Sequence, residues 1–213
     1  MIVATMFVAM NLSAQAPSLA GQVGNGHVYG FSSLKFHPGI NAQEGYIQLQ
    51  YGIGQCFSAG ADVYASGSGL SSMSALARFA VPLNSYASLG LQLSPTFSLN
   101  DNMKFTSVTT ALYLNGIFSK RSNMMWCINT RWGVNRKSEY TLNQWSYLGY
   151  RIPLRNGHAI TPMLGGWHSW KFDQDMDFTT GFLYSAKRCG IYFYINEYLK
   201  DHIGVLMGLD FVI

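Results

Sequence analysis

The chain has 213 residues, of which only 11% are charged and 15% aromatic, with a net charge of +4. That length makes one domain the default, and the charge content lies far below the roughly 25% of soluble domains. The basic residues are scattered, with no basic helix or arginine-rich run, which argues against nucleic acid as a partner. No apolar run of 18 residues or more follows about residue 20, so helical membrane spans are not expected. Strands that alternate faces escape that test, because their hydropathy averages out.

Residues 1–16 form an apolar stretch that closes on Ala14-Gln15-Ala16, a small-x-small site. It resembles a secretory signal peptide without its basic lead, cut after Ala16. Residues 17–25 are then a polar lead-in, and 26–213 the folded unit.

From there the chain reads as a succession of strands with a period of two. The first covers 26–36, and a link through His37-Pro38-Gly39 leads to the second, 45–53. In the second, Ile47, Leu49, Tyr51 and Ile53 share one face, and Tyr46, Gln48, Gln50 and Gly52 the other. After Gly54-Gln55 the third strand opposes Phe57, Ala59, Ala61 and Val63 to Ser58, Gly60, Asp62 and Tyr64. Past Ser66-Gly67-Ser68-Gly69 comes the clearest pair. Met73, Ala75, Ala77, Phe79 and Val81, then Ala87, Leu89, Leu91 and Leu93, flank the turn Pro82-Leu83-Asn84-Ser85. Ser74, Leu76, Arg78, Gln92 and Ser94 fall on the opposite face.

The sixth and seventh strands set Val108, Thr110, Leu112 and Leu114, then Trp126, Ile128, Thr130 and Trp132, on one face. Their other face carries Tyr113, Asn115, Cys127, Asn129 and Arg131. A charged link, 135–143, precedes the eighth strand, 145–154. The ninth, 159–170, shows no clearly apolar face, and 171–177 is another link. Strands over 178–186, 191–196 and 203–211 complete the chain. Cys56, Cys127 and Cys189 lack metal-ligand spacing. Cys56 and Cys189 fall about four strands apart, too far for a disulfide, so all three are read as unpaired.

About twelve strands (10–14 are compatible), each near the ten residues a tilted strand needs to cross a bilayer, predict an all-β fold. The links alternate long and short, as in a barrel with loops at one end and turns at the other. In lipid such a sheet must close, because hydrocarbon cannot satisfy an open edge. The expected architecture is a closed antiparallel transmembrane β-barrel.

The leader, the alternation and the loop rhythm together make the chain similar to Gram-negative outer-membrane β-barrel proteins across its mature length. Its last strand resembles their C-terminal insertion signal, with Phe211 two places from the end. The resemblance implies an outer-membrane location, short turns in the periplasm, and recognition of the last strand by the outer-membrane insertion machinery.

Several residues are candidates for function. Asp62, Arg78 and Arg131, with Gln48, Gln50 and Asn129, are expected to face a lumen and to bind or steer a small solute. A charge on the lipid face would cost roughly 2–4 kcal/mol for Arg or Lys. The equal alternative is a plug of paired charges that passes nothing. Trp126, Trp132, Trp145, Trp167 and Trp170 lie near strand ends and are expected to form aromatic girdles at the bilayer surfaces. His168 beside Asp173 and Asp175 is a weaker candidate for acid–base catalysis at the rim. Ser169 cannot join His168, since strand neighbours point to opposite faces. The run from Asp173 to Asp177 opens like a calcium loop but lacks its Gly and closing Glu, so neither metal nor cofactor is expected. The leading function is a narrow channel or passive small-solute binding and transfer protein. An enzyme acting on lipid or peptide at the outer rim is the alternative, and a non-conducting structural or adhesion barrel the third.

Overall fold

A computed structural model describes residues 22–39, 43–67, 69–119, 121–170 and 175–213. The predicted leader, 1–16, lies outside these residues. Twelve antiparallel strands follow one another round a single sheet: β1 (Val28–Phe36), β2 (Gln43–Gly52), β3 (Phe57–Ser66), β4 (Gly69–Pro82), β5 (Ala87–Ser98) and β6 (Lys104–Ile117). Then come β7 (Met124–Asn135), β8 (Tyr140–Tyr150), β9 (Ala159–Ser169), β10 (Asp175–Ser185), β11 (Cys189–Asn196) and β12 (Gly204–Val212). A two-residue piece, Ile152–Pro153, continues β8 beyond Arg151 and pairs with the start of β9.

The sheet closes on itself. Strand β1 pairs with β2 on one side and with β12 on the other, where Tyr29 faces Val212 and Phe36 faces Val205. Closure leaves no strand without two neighbours, so every ladder group can be satisfied within the wall. Across the closing seam, the Phe211 ring covers Gly30 so closely that a Cβ there would lie 2.2 Å from it. The terminal aromatic therefore fills the space the glycine leaves on the outer face.

Alternation decides what each face meets. Ile47, Leu49, Tyr51, Phe79, Leu91, Leu93, Leu148, Leu164, Phe178, Phe182, Ile191, Met207 and Leu209 are exposed on the outside. Gln48, Gln50, Asp62, Ser74, Arg78, Gln92, Ser94, Asn129 and Asp210 are buried inside. A water-soluble barrel would show the reverse, and this inversion is the physical signature of a wall set in hydrocarbon.

Three expectations need correction. The link predicted over 135–143 shrinks to 136–139, because β7 runs to Asn135 and β8 starts at Tyr140. Strands β3 and β4 likewise extend to Ser66 and Gly69, with a register shift at Tyr64/Ala65. Asp175 and Asp177 belong to β10 rather than to a link. The contrast between long and short connections thus largely disappears, since polar strand ends beyond the bilayer read as loop. The ninth strand does have two distinct faces. Ala159, Thr161 and Met163 point inward, with Ile160 and Leu164 outward. Its alternation was obscured because the lumen there is itself apolar, built from Met163, Leu183, Tyr192 and Tyr194.

At the end of the barrel that holds both termini, residues 22–27 turn into the mouth. Gly26 N–H donates to the Gly52 carbonyl at 3.0 Å, and Gly54 N–H to Asn25 Oδ1 at 2.9 Å. A Cβ on Gly52 would sit 1.7 Å from the Gly24 carbonyl oxygen, so only glycine leaves room for this segment.

Leu164, 61% exposed, tests what the outer face touches. In lipid vesicles, Leu164→Arg is expected to lower unfolding stability by roughly 2–4 kcal/mol if the site is near mid-bilayer. Unchanged stability in a urea titration would show that water reaches that face.

Candidate functional site: a polar lumen around two arginines

Every predicted lumen residue points inward. Gln48 and Gln50 lie two apart on β2, so both face the interior beside Asp62 and Ser58 of β3. Gln48 Nε2 donates to the Tyr46 hydroxyl at 2.8 Å, and the Gln50 carboxamide oxygen accepts from Arg78 Nη2 at 2.8 Å and Nη1 at 3.1 Å. The Tyr46 hydroxyl donates to Asp62 Oδ2 at 3.1 Å. The Gln50 amide nitrogen donates to Ser58 Oγ at 2.9 Å. The chain of amides and hydroxyls links β2 to β3 across the lumen face and ends on the Asp62 carboxylate.

Arg78 on β4 stands at the centre, only 2% exposed. Its Nη2 donates to Gln92 Oε1 at 2.6 Å and to Gln48 Oε1 at 3.3 Å, and Nε donates to Gln92 Oε1 at 3.1 Å. The guanidinium carbon lies 5.5 Å from the Tyr113 ring centre and 6.0 Å from that of Tyr29. Gln92 in turn donates to Ser94 Oγ at 2.9 Å. All these partners are neutral, and among the described residues no carboxylate pairs with Arg78. A buried cation held by amides and ring faces keeps most of its positive field.

Arg131 lies farther from the termini end. Its Nη2 donates to the Tyr113 hydroxyl at 3.4 Å, and its guanidinium sits 5.6 Å from the Trp145 ring centre. Trp145 neighbours Trp167 at 6.3 Å, and Lys200 Nζ stands 5.7 Å from the Trp167 ring. Two cations thus bracket two indoles in the vestibule. This corrects the girdle assignment: Trp126, Trp132 and Trp170 are on the outer face, but Trp145 and Trp167 line the lumen. Their places, Asn129↔Trp145 and Trp167↔Asp177, put them in register with inward residues.

Around Arg78 the interior is filled by side chains. Tyr113, Tyr192, Gln48, Gln50 and Leu183 are all essentially buried. Phe31 stacks on Tyr192 at 5.4 Å and meets Tyr46 edge-on at 5.7 Å. These side chains fill the mid-section instead of leaving it open to water. Asn129 and Cys127 are buried on the same wall, and all three cysteines are free.

A separate ion cluster marks the opposite rim from the termini. Lys35 Nζ and His37 Nε2 each lie 2.6 Å from Glu197, on its two carboxylate oxygens. Glu197 holds a positive φ of 62°, a backbone conformation costly for a side-chain-bearing residue. Burial raises its carboxyl, but hydrogen bonds from Lys35 and His37, with their charges, outweigh this and hold it below the usual carboxylate range. Sequence reasoning missed this cluster, because Lys35 and Glu197 are 162 positions apart.

The rim residues proposed for catalysis are not assembled. His168 projects from the outer face, opposite Met176, whereas Asp177 points inward and accepts from Phe178 N–H at 2.6 Å and Leu199 N–H at 3.3 Å. Asp173 lies outside the described residues, and Asp175 is placed only by its backbone, opposite Ser169. Among the described residues no group of three His, Cys, Asp or Glu is set to hold a metal.

The depressed Glu197 carboxyl makes a signed prediction. Its contribution is present above the unfolded carboxylate pKa of about 4.3 and is lost as pH falls through the lower folded value. The stability difference between wild type and Glu197→Gln, about 1 kcal/mol or less for such a pair, should vanish in acid. Unfolding titrations across pH that show the difference growing in acid would contradict it.

The same architecture occurs in solved outer-membrane channels. The KdgM porin matches with a TM-score of 0.62 at 12% identity, covering 86% of this chain and 98% of the porin. The NanC porin matches with a TM-score of 0.58 at 10% identity, covering 85% and 98%. An outer membrane channel from Pseudomonas putida F1 gives 0.52 at 11%, covering 89% and 96%. No protein-family model and no curated protein matches the chain. At these identities the likeness is one of fold: the chain is a closed twelve-stranded barrel of outer-membrane porin architecture.

Proposed function

We propose that the protein is a narrow outer-membrane channel for a small anionic solute. The observation that carries this reading is Arg78, a cation buried in the lumen with only neutral partners among the described residues. An anion reaching that level replaces no counter-ion and meets a field that hydrogen bonds have already oriented. The Trp145–Trp167 pair, flanked by Arg131 and Lys200, supports a solute with a flat apolar face beside its charge, such as an acidic sugar. The KdgM porin has been solved in complex with disordered oligogalacturonate, a solute of that chemistry. In this reading residues 1–16 are removed on export, and the β12 strand, with Phe211 near its end, addresses the chain to the insertion machinery.

The filled mid-section belongs to the mechanism. Amide and tyrosine side chains must swing aside for passage, so open events are small and brief. In planar bilayers under a salt gradient, wild-type protein should give small steps that favour anions. Arg78→Ala should enlarge the steps by roughly twofold or more and shift the reversal potential toward cations. Oligogalacturonate should block wild type more strongly than Arg131→Ala. Wild-type protein that stays silent, or steps whose selectivity ignores Arg78, would contradict the proposal.

A further inference from the structure

The segment ahead of β1 lies on the inner side of the wall. On β2, Gln48 and Gln50 point into the lumen, and Gly52 is next in that alternation. A side chain on Gly52 would meet the Gly24 carbonyl oxygen, so the backbone at Gly24 takes the space an inward side chain would fill. Two places earlier, Gln22 Nε2 donates to Cys56 Sγ at 3.4 Å, and Cys56 shares the inward alternation of buried Ser58 on β3. Val23, between these two contacts, is buried. Residues 22–26 therefore pass from β1 across β2 to β3 inside the mouth.

Two glycines turn the chain inward. Gly24 and Gly26 hold φ of 87° and 77°, the left-handed region that side-chain-bearing residues avoid, and they bracket Asn25. The hold on the wall is light. Gly26 N–H to the Gly52 carbonyl and Gly54 N–H to Asn25 Oδ1 are single neutral bonds, and a thiol is a weak acceptor for Gln22. The seam beside them is fastened separately. Val28 N–H donates to the Ile213 carbonyl at 2.8 Å, and Ile213 N–H to the Val28 carbonyl at 2.9 Å. Residues 22–25 can thus leave the mouth without breaking these seam bonds.

We propose that residues 22–26 are a strap that closes the barrel mouth at the termini end, seated on Gly52 and hinged at Gly24 and Gly26. Seated, it puts buried Val23 and its own backbone across the inner edge of β1–β3. Swung out, it admits solutes to the lumen from that end. Local opening of a segment held by so few bonds is far easier than opening of the closed wall. The proposal rests on a barrel that spans a bilayer, and it holds whichever solute passes Arg78.

The test reads entry by the labelling of two native thiols in the folded full chain in detergent. The probe is a small anionic methanethiosulfonate reagent, and peptide mass mapping locates its adducts. Cys56 reports the seat of the strap. Cys127, buried on the lumen wall of β7 and nearer the termini end than Arg131, reports entry beyond it. Gly52→Ala puts a methyl group where the strap sits. Val23→Asp/Asn25→Ala weakens the strap and leaves the wall untouched, and heat-modifiable gel migration identifies folded barrels. Both variants should label both thiols roughly tenfold faster than wild type or more. A folded strap variant whose Cys127 reacts at the wild-type rate overturns the proposal, even if Cys56 is freed. So does wild type in which both thiols already react as fast as a free thiol. Faster labelling in a barrel that never conducts supports the strap and contradicts only the channel reading.

Discussion

Hydrocarbon supplies no hydrogen bonds, and this single deficiency organises the molecule. A sheet in such a solvent survives only if its first and last strands pair, as β1 and β12 do from Tyr29↔Val212 to Phe36↔Val205. Once the ring is closed, the two-residue period sends every second side chain outward, and selection by solvent does the rest. Leucine, isoleucine and phenylalanine accumulate outside, and amides, hydroxyls and charges within. Even the seam obeys this economy of space, with Phe211 seated over Gly30.

The interior solves a different problem. Charges enclosed by a low-dielectric wall interact strongly, and each must be balanced by a partner or held by dipoles. The rim uses the first solution, where Glu197 is gripped by Lys35 and His37. The packed interior uses the second, where Arg78 is held by Gln92, Gln48 and two tyrosine rings. A carboxylate beside Arg78 would neutralise the site. Amides fix its geometry while preserving its charge, as a site for passing anions requires.

Much of this was legible in the residues alone, for one reason: where the outside is apolar and the inside polar, the period of two names both faces. It placed Gln48, Gln50, Asp62, Arg78, Asn129 and Arg131 inside. It failed where that contrast fails. On β9 the lumen is apolar around Met163 and Leu183, so neither face stood out. Trp145 and Trp167 lie near strand ends, but an amphipathic indole suits a headgroup layer and a wet vestibule equally well. The polar ends of β7 and β8 looked like loop, since a strand that has left the bilayer no longer needs an apolar face. The Lys35–Glu197–His37 cluster depends on ring closure, which brings distant segments together without any local pattern.

The central claim, that the outer face meets lipid and the inner face does not, is tested most directly by tryptophan quenching with brominated phospholipids. In single-tryptophan variants reconstituted into such vesicles, Trp126, Trp132 and Trp170 should be quenched strongly, and Trp145 and Trp167 hardly at all. Equal quenching at all five positions, or quenching confined to Trp145 and Trp167, would contradict the account.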